Sequence, residues 1–248
     1  MDILIHKVAL QDIVYLRRLF LQANNFQIRY DSCHERGWSD SYIVEHKGLK
    51  IGYGAIKGNK KIEDRDTIFE FYVIPAFRNL APLVFEELLK VSGADFVECQ
   101  TNEPFLTSFA YTHGTHLSSD TILFSDDRVT HLRPAGIVFR PKTESDIIFG
   151  HHAEPQGSFV IERRGEVVAT GGFLLHYNMP FADIYMEVRE DSRRRGIGSF
   201  LVQELKVQCY LSGRVPAART GSNNFASKAT LLKAGLEVAG HILLARVR

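Results

Sequence analysis

The chain has 248 residues, a length that suits one large domain or two domains of about 100–150 residues. Hydrophobic residues make up 45% and charged residues 24%, a composition with enough apolar mass for packed cores. The formal net charge of +1 excludes an overall field for nucleic acid or an anionic membrane, so any attraction for an anion has to be local.

The first residues, Met1-Asp2-Ile3-Leu4-Ile5-His6, carry an acid where a secretory signal carries basic residues. No stretch approaches the ~20 apolar residues of a membrane span. Cys33, Cys99 and Cys209 stand far apart in no paired or metal-like spacing, which argues against a disulfide framework and suits a reducing, cytoplasmic setting.

Residues 12–24 place Ile13, Leu16 and Phe20 on one helical face, with room for a second short helix before a strand at Tyr42. A glycine-containing strand follows in Ile51-Gly52-Tyr53-Gly54-Ala55-Ile56. Phe69-Glu70-Phe71-Tyr72-Val73 reads as another strand and ends at Pro75. Five residues beyond Val73 stands Arg78, then Leu80, Leu83, Val84, Phe85, Leu88 and Leu89 at helical spacing.

The pattern then recurs. Val168-Ala169-Thr170-Gly171-Gly172-Phe173 matches the first glycine strand, and Ile184-Tyr185-Met186-Glu187-Val188 matches the second. Five residues beyond Val188 stands Arg193, followed by Ile197, Leu201, Leu205 and Cys209 on one face. The polar cluster Ser125-Asp126-Asp127-Arg128 marks a seam, giving halves 1–128 and 129–248. The second half is trimmed: residues 139–159 hold Pro141, Gly150, Pro155 and Gly157 and have no room for two full helices. Its predicted elements are a strand at 136–140, a hairpin over 158–177, a strand at 182–188, a helix at 196–211, a strand at 217–219, a helix at 225–234 and a strand at 241–246. Strands and helices interleave around one mixed sheet per copy, an α/β or α+β class.

The loop Val188-Arg189-Glu190-Asp191-Ser192-Arg193-Arg194-Arg195-Gly196-Ile197-Gly198-Ser199 carries the chemistry. A strand ends, a polar loop follows, and two glycines open a helix whose free amides and dipole attract an anion. Glycine removes the Cβ that would hold a phosphate away, and three arginines add charge-assisted donors. A dinucleotide fingerprint would need glycine at Leu201, and a P-loop would need Gly-Lys-Ser/Thr, so a pyrophosphate loop of another kind is expected.

Arg193-x-x-Gly196-x-Gly198 after a strand resembles the acetyl-CoA pyrophosphate motif of the GNAT superfamily, the Gcn5-related N-acetyltransferases. Asn224-x-x-Ser227-x-x-Thr230-Leu231-x-Lys233-x-Gly235-Leu236 is similar to the family's second motif, an Asn-led helix. The resemblance covers the C-terminal half in order and the N-terminal half more weakly, implying two tandem GNAT-like domains. It further implies acetyl-CoA as co-substrate, with backbone groups of Met186 and Val188 along the pantetheine and the amides of Arg194, Arg195, Gly196, Ile197, Gly198 and Ser199 on the pyrophosphate. Asn224 and Ser227 would face the pantetheine or thioester end, although Asn is also a favoured helix cap. In the first half Ala81, Pro82 and Leu83 replace the glycine loop, which implies no cofactor there.

The resemblance implies direct attack on the thioester by an amine of a small molecule or peptide. Neutralising an alkylamine of pKa about 10.4 at pH 7 costs about 4–5 kcal/mol, more than the thiolate needs on departure, so a base matters most. Asp183 and Glu187 share a strand face with Tyr185 and are both candidates. Leu231 stands where many family members have a tyrosine acid, leaving Tyr185 and Tyr210 as substitutes or no acid at all; a non-catalytic acyl-CoA sensor is the alternative. His113-x-x-His116 and His151-His152 lack further ligands at matching spacing, so no metal is expected.

Overall fold

The computed structural model describes residues 2–23, 26 and 31–247. The first half runs β1 (Ile3–Val8), α1 (Val14–Ala23), α2 (Asp31–Glu35), β2 (Ser39–His46), β3 (Leu49–Lys57), β4 (Thr67–Val73), α3 (Ala81–Ser92), β5 (Phe96–Gln100), α4 (Pro104–His113) and β6 (His116–Asp126). The second runs β7 (Ile137–Pro141), β8 (Phe159–Arg163), β9 (Glu166–Leu174), β10 (Phe181–Val188), α5 (Ile197–Leu211), β11 (Val215–Gly221), α6 (Phe225–Lys233) and β12 (Leu236–Arg246). The trimmed stretch after β7 holds no helix, as its prolines and glycines require. Asn24, at the end of the helix expected over 12–24, lies outside the described residues.

Among the described residues two compact units form. One comprises residues 2–23, 26, 31–120 and 240–247, and the other Thr121–Ala239. In the first unit β1, β2, β3 and β4 pair antiparallel in order, β5 joins β4 in parallel, and residues 242–246 of β12 pair antiparallel with β5. In the second, β7, β8, β9 and β10 pair antiparallel, β11 joins β10 in parallel, and residues 121–125 of β6 lie antiparallel on β11. Each unit closes its sheet with a strand drawn from the other half of the sequence.

The helices dock where the pattern places their apolar faces. Val84, Phe85 and Leu88 of α3 bury against Ile51, Ile56 and Phe71. Leu201, Val202, Leu205 and Cys209 of α5 bury against Val168, Ala169, Ala182 and Ile184. The two glycine strands allow this close approach. A Cβ at Gly54 would stand 2.4 Å from Leu88 Cδ2, and one at Gly171 would stand 2.9 Å from Leu205 Cδ1.

In the first unit a buried ionic knot ties α1 and α2 to β4. Glu70, fully buried, accepts from Arg17 Nε at 2.9 Å and Tyr53 OH at 2.8 Å, with His34 Nε2 at 3.2 Å. Burial alone would raise the carboxyl's pKa, but Arg17 and His34 hold it well below the usual carboxylate range.

The second unit secures β6 by more than its ladder. Ile122, Leu123 and Phe124 are buried, and the segment after them is strapped to α5. Lys206 Nζ, itself buried, donates to the carbonyls of Arg128 at 2.7 Å and Ala234 at 3.0 Å and pairs with Asp126. Gln203 Oε1 accepts from Leu132 N at 2.7 Å and Thr130 Oγ1 at 2.9 Å. Losing three such apolar side chains removes about 2–5 kcal/mol each, against a typical domain stability of about 5–15 kcal/mol. A chain of residues 129–248 should therefore show no cooperative thermal transition by circular dichroism, whereas residues 116–239 should. Equal transitions in the two fragments would contradict this strand placement.

Candidate functional site

In the second unit β10 and β11 pair only from Phe181↔Val215 to Ile184↔Ala218. β10 continues to Val188 and β11 to Gly221, so the strands part after Ile184. Arg189 N donates to Val168 O at 2.9 Å, which fixes the parity of the β9–β10 ladder. Odd residues of β10 face β9 with their peptide groups, and even residues face β11, consistent with Val215 N donating to Pro180 O at 2.8 Å. The backbone groups of Met186 and Val188 therefore point into the parting. Val188 O accepts from Arg193 Nε at 3.0 Å, so there its N–H is the group left for a ligand.

At the wide end of this parting lies the glycine-arginine loop. After a short 3-10 turn at Glu190–Ser192, Arg194 and Gly196 both adopt left-handed backbone, with φ of 62° and 76°. The left-handed state costs a non-glycine residue about 1–2 kcal/mol, so the Arg194 conformation is held by its surroundings. Such alternation turns successive amides toward one side and makes an anion nest. The first bond into α5 runs from Phe200 N to Gly196 O at 3.1 Å; the amides of Ile197, Gly198 and Ser199 precede it and have no acceptor one turn back. The side chains of Arg193, Arg194 and Arg195 are exposed and Ser199 is buried. Gly198 lies where helices and strand converge: a Cβ there would be 3.2 Å from Thr230 Cγ2 and 3.4 Å from Met186 Cε.

One cation at this loop was invisible to sequence spacing. Lys233, on the last turn of α6, brings Nζ to 3.8 Å from where a Cβ of Gly196 would stand. Lys233→Met should raise the Kd for acetyl-CoA about 3- to 10-fold, and more weakly at high salt, as a single partly screened charge predicts. Calorimetric titration at two ionic strengths checks this; an unchanged Kd at low salt would remove Lys233 from the site.

Asn224 caps α6: its side-chain oxygen accepts from Ser227 N at 3.0 Å, so both residues serve the helix start. The Asn224 Nδ2 is the donor that can face outward. Leu231 is buried in the core of the unit. Tyr210 is exposed on α5, and its OH donates to Asp126 at 2.7 Å. Burial and Asp126 push its pKa up to about 12.

The two carboxylates of β10 have different surroundings. Glu187 is caged by the segment after β7, accepting from the amides of His152 at 3.0 Å, Ala153 at 3.1 Å and Glu154 at 3.0 Å. His151 Nδ1 lies 3.6 Å away, and the ring's Nε2 meets Thr170 Oγ1 at 3.1 Å. Burial alone would raise the Glu187 pKa, but these donors outweigh it and hold it lowered. Asp183 stands beside the point where the strands part. One oxygen accepts from Arg219 Nε at 3.1 Å; the other, Oδ1, is buried with no hydrogen-bond partner. Burial raises the Asp183 pKa to about 6, with Arg219 opposing and Glu154 adding to the rise. Arg219 also donates to the buried Tyr177 hydroxyl. Tyr185 folds over its cross-strand partner Gly172, whose Cβ would meet the hydroxyl at 2.8 Å.

The first unit repeats the parting and lacks the loop. β4 and β5 pair only at Thr67↔Phe96 and Ile68↔Val97. Pro75–Leu80 forms a 3-10 helix that runs straight into α3, without a left-handed residue between. Phe105 stacks on Phe71 at 6.1 Å and Phe109 on Phe85 at 4.6 Å between ring centroids, filling the side of the parting next to α3 and α4 with aromatic rings.

Among the described residues no group of three or more His, Cys, Asp or Glu is placed to hold a metal ion, and no helix is long and apolar enough to cross a membrane.

Comparison with known proteins agrees with this geometry. Residues 123–236 match the acetyltransferase (GNAT) family, and residues 10–127 match an acetyltransferase (GNAT) domain. Among solved structures, a GNAT-family acetyltransferase from Colwellia psychrerythraea aligns over 99% of this chain and 100% of its own, with TM-score 0.76 and 14% identity. A GCN5-related N-acetyltransferase from Sphaerobacter thermophilus aligns over 99% and 96%, with TM-score 0.61 and 16% identity. A tandem GNAT protein from the clavulanic acid biosynthesis pathway aligns over 100% and 99%, with TM-score 0.62 and 12% identity. No curated protein sequence matches the chain. With a family match in each half and the repeated parted sheet, the chain belongs to the GNAT acetyltransferases, as two GNAT domains in tandem.

Proposed function

We propose that the second unit transfers an acetyl group from acetyl-CoA to an amine of a small molecule or peptide, in the cytoplasm, a reducing setting that suits Cys33, Cys99 and Cys209, which form no disulfide. The observation that carries this reading is the strained nest at 193–199 opening onto the parted edge of β10. A diphosphate fits the first, and an extended amide-bearing arm fits the second by strand-like pairing with Met186 and Val188. That arm would bring its thioester to the narrow end of the parting, beside Asp183. Acetyl-CoA, when bound, supplies the activated acyl group.

Asp183 is the base in this reading. Its unpartnered oxygen accepts a proton from the attacking amine as the C–N bond forms and the C–S bond breaks. Glu187, saturated by three amides, holds the segment after β7 in place. With Leu231 in the core, departure of the thiolate proceeds without a dedicated acid. The same Leu231 favours a second reading, an acyl-CoA sensor without turnover. Trapping the CoA thiol while a panel of amines is supplied separates the two. Amine-dependent thiol release at rates above hydrolysis supports transfer; binding of acetyl-CoA with no release under any amine supports the sensor. The first unit, lacking the nest, is assigned no cofactor.

A further inference from the structure

Around Asp183 the charges do not balance. Asp183, Glu154 and Glu187 bring three carboxyls together, against the guanidinium of Arg219 and the His151 ring beside Glu187. Arg219 donates to Asp183 and to the Tyr177 hydroxyl, and its charge also acts on Glu154, so one guanidinium faces two carboxylates. Glu187 is likewise bound to the amides of the segment that covers it. Two acceptors remain for a ligand. One is Asp183 Oδ1, buried without a partner at the narrow end of the parting. The other is the Glu154 carboxylate, on an exposed residue though partly desolvated at the carboxyl itself, which raises its pKa, and close enough for its charge to reach Asp183, Tyr185 and Arg219.

A buried oxygen without a donor is costly unless a ligand satisfies it, and an amine N–H is a donor of the right kind. A second, solvent-facing carboxylate adds a negative field that attracts a second cation and repels a carboxylate carried by the acceptor. Resting on the transferase reading above, we propose that the acceptor is a diamine or similar dication, with one amine at Asp183 Oδ1 and the second cationic group at Glu154. An amino acid, whose carboxylate would enter the same field, is a poor acceptor. Tyr185, half-buried on the same strand face as Asp183, presents a ring along which an alkyl chain can lie, whereas Tyr177 is buried with Arg219 over its ring.

The transfer balances without a further reagent. The reacting ammonium of the diamine first gives one proton to solvent; the neutral nitrogen then bonds the acetyl carbon, the C–S bond breaks, Asp183 takes the second proton, and CoA leaves as its thiolate, which takes a proton from water.

Three acceptors of matched length test this with the full chain and acetyl-CoA: 1,4-diaminobutane, 1-aminobutane and 4-aminobutanoate. Thiol release should give the highest kcat/KM for 1,4-diaminobutane and the lowest for 4-aminobutanoate. Glu154→Gln should cut the ratio of diamine to monoamine about fivefold, the range of a solvent-facing charge pair. Glu154→Lys should reverse the order of diamine and 4-aminobutanoate. Thermal melts of both variants establish that the fold is kept, since the Glu154 amide that binds Glu187 is untouched. A preference for 4-aminobutanoate, or ratios unmoved in both variants, overturns the dication assignment and leaves the transferase reading standing. Intact acetyl-CoA binding with no thiol release under any of the three overturns the dication assignment alone, since the transferase reading also admits a peptide amine and is decided by the wider amine panel.

Discussion

Asp183→Asn should lower kcat about 100- to 10,000-fold, the range of a lost general base, with the Kd of acetyl-CoA changed by less than about threefold. The carboxyl is 4% exposed, and burial, moderated by Arg219, places its pKa at about 6. Wild-type kcat/KM should accordingly fall as pH drops below about 6. Stability should move the opposite way. The folded pKa lies above the ordinary aspartate value near 3.9, so the contribution of the protonated carboxyl is complete below that value and is lost as pH rises through about 6. At pH 8 the native state carries a buried charge that Asn lacks. The variant should therefore melt higher than wild type at pH 8, with the advantage vanishing near pH 4. Loss of rate joined to gain of stability distinguishes a base from a merely structural carboxylate. Activity within tenfold of wild type, with Glu187→Gln inactive instead, would transfer the role to Glu187.

Gly196→Glu should raise the Kd for acetyl-CoA at least about 100-fold. The position has φ of 76°, where an L side chain is strained, and a carboxylate there would occupy the nest and attract Lys233. Gly196→Ala separates strain from charge. It bears only the left-handed cost of about 1–2 kcal/mol, so its loss should stay near tenfold. Calorimetric titration of both variants checks the order; equal, small losses would mean that the amides after Arg193 do not hold the diphosphate.

The repeated strand-loop-helix units were legible because hydrophobic periodicity and glycine placement are local. Ile197, Leu201, Leu205 and Cys209 fall on one face and bury together. Gly171 and Gly54 mark the close approach of a helix to a sheet in each half. The glycine-arginine loop at the head of α5 was legible for the same reason, since strand end, arginines and glycines are contiguous. The exchange of closing strands was not. β6 and the last residues of β12 have ordinary strand patterns, and nothing local says which sheet edge each completes. The difference between Asp183 and Glu187 was equally hidden. Alternation puts both on one face, but the three amides on Glu187 come from a segment more than thirty residues earlier, and Arg219 comes from the next strand. Arg194 gave no sign of its left-handed backbone, and Lys233 reaches Gly196 only through the packing of α6 beside α5.

The most direct test of the account follows backbone amide resonances of the intact chain as acetyl-CoA is added. Saturation at one ligand per chain is expected, with the largest shifts at Arg194 through Ser199 and further shifts at Met186 and Val188. Shifts centred instead on the α3 entrance at Ala81–Leu83, or a saturated complex that leaves the amides of 194–199 unmoved, would contradict it.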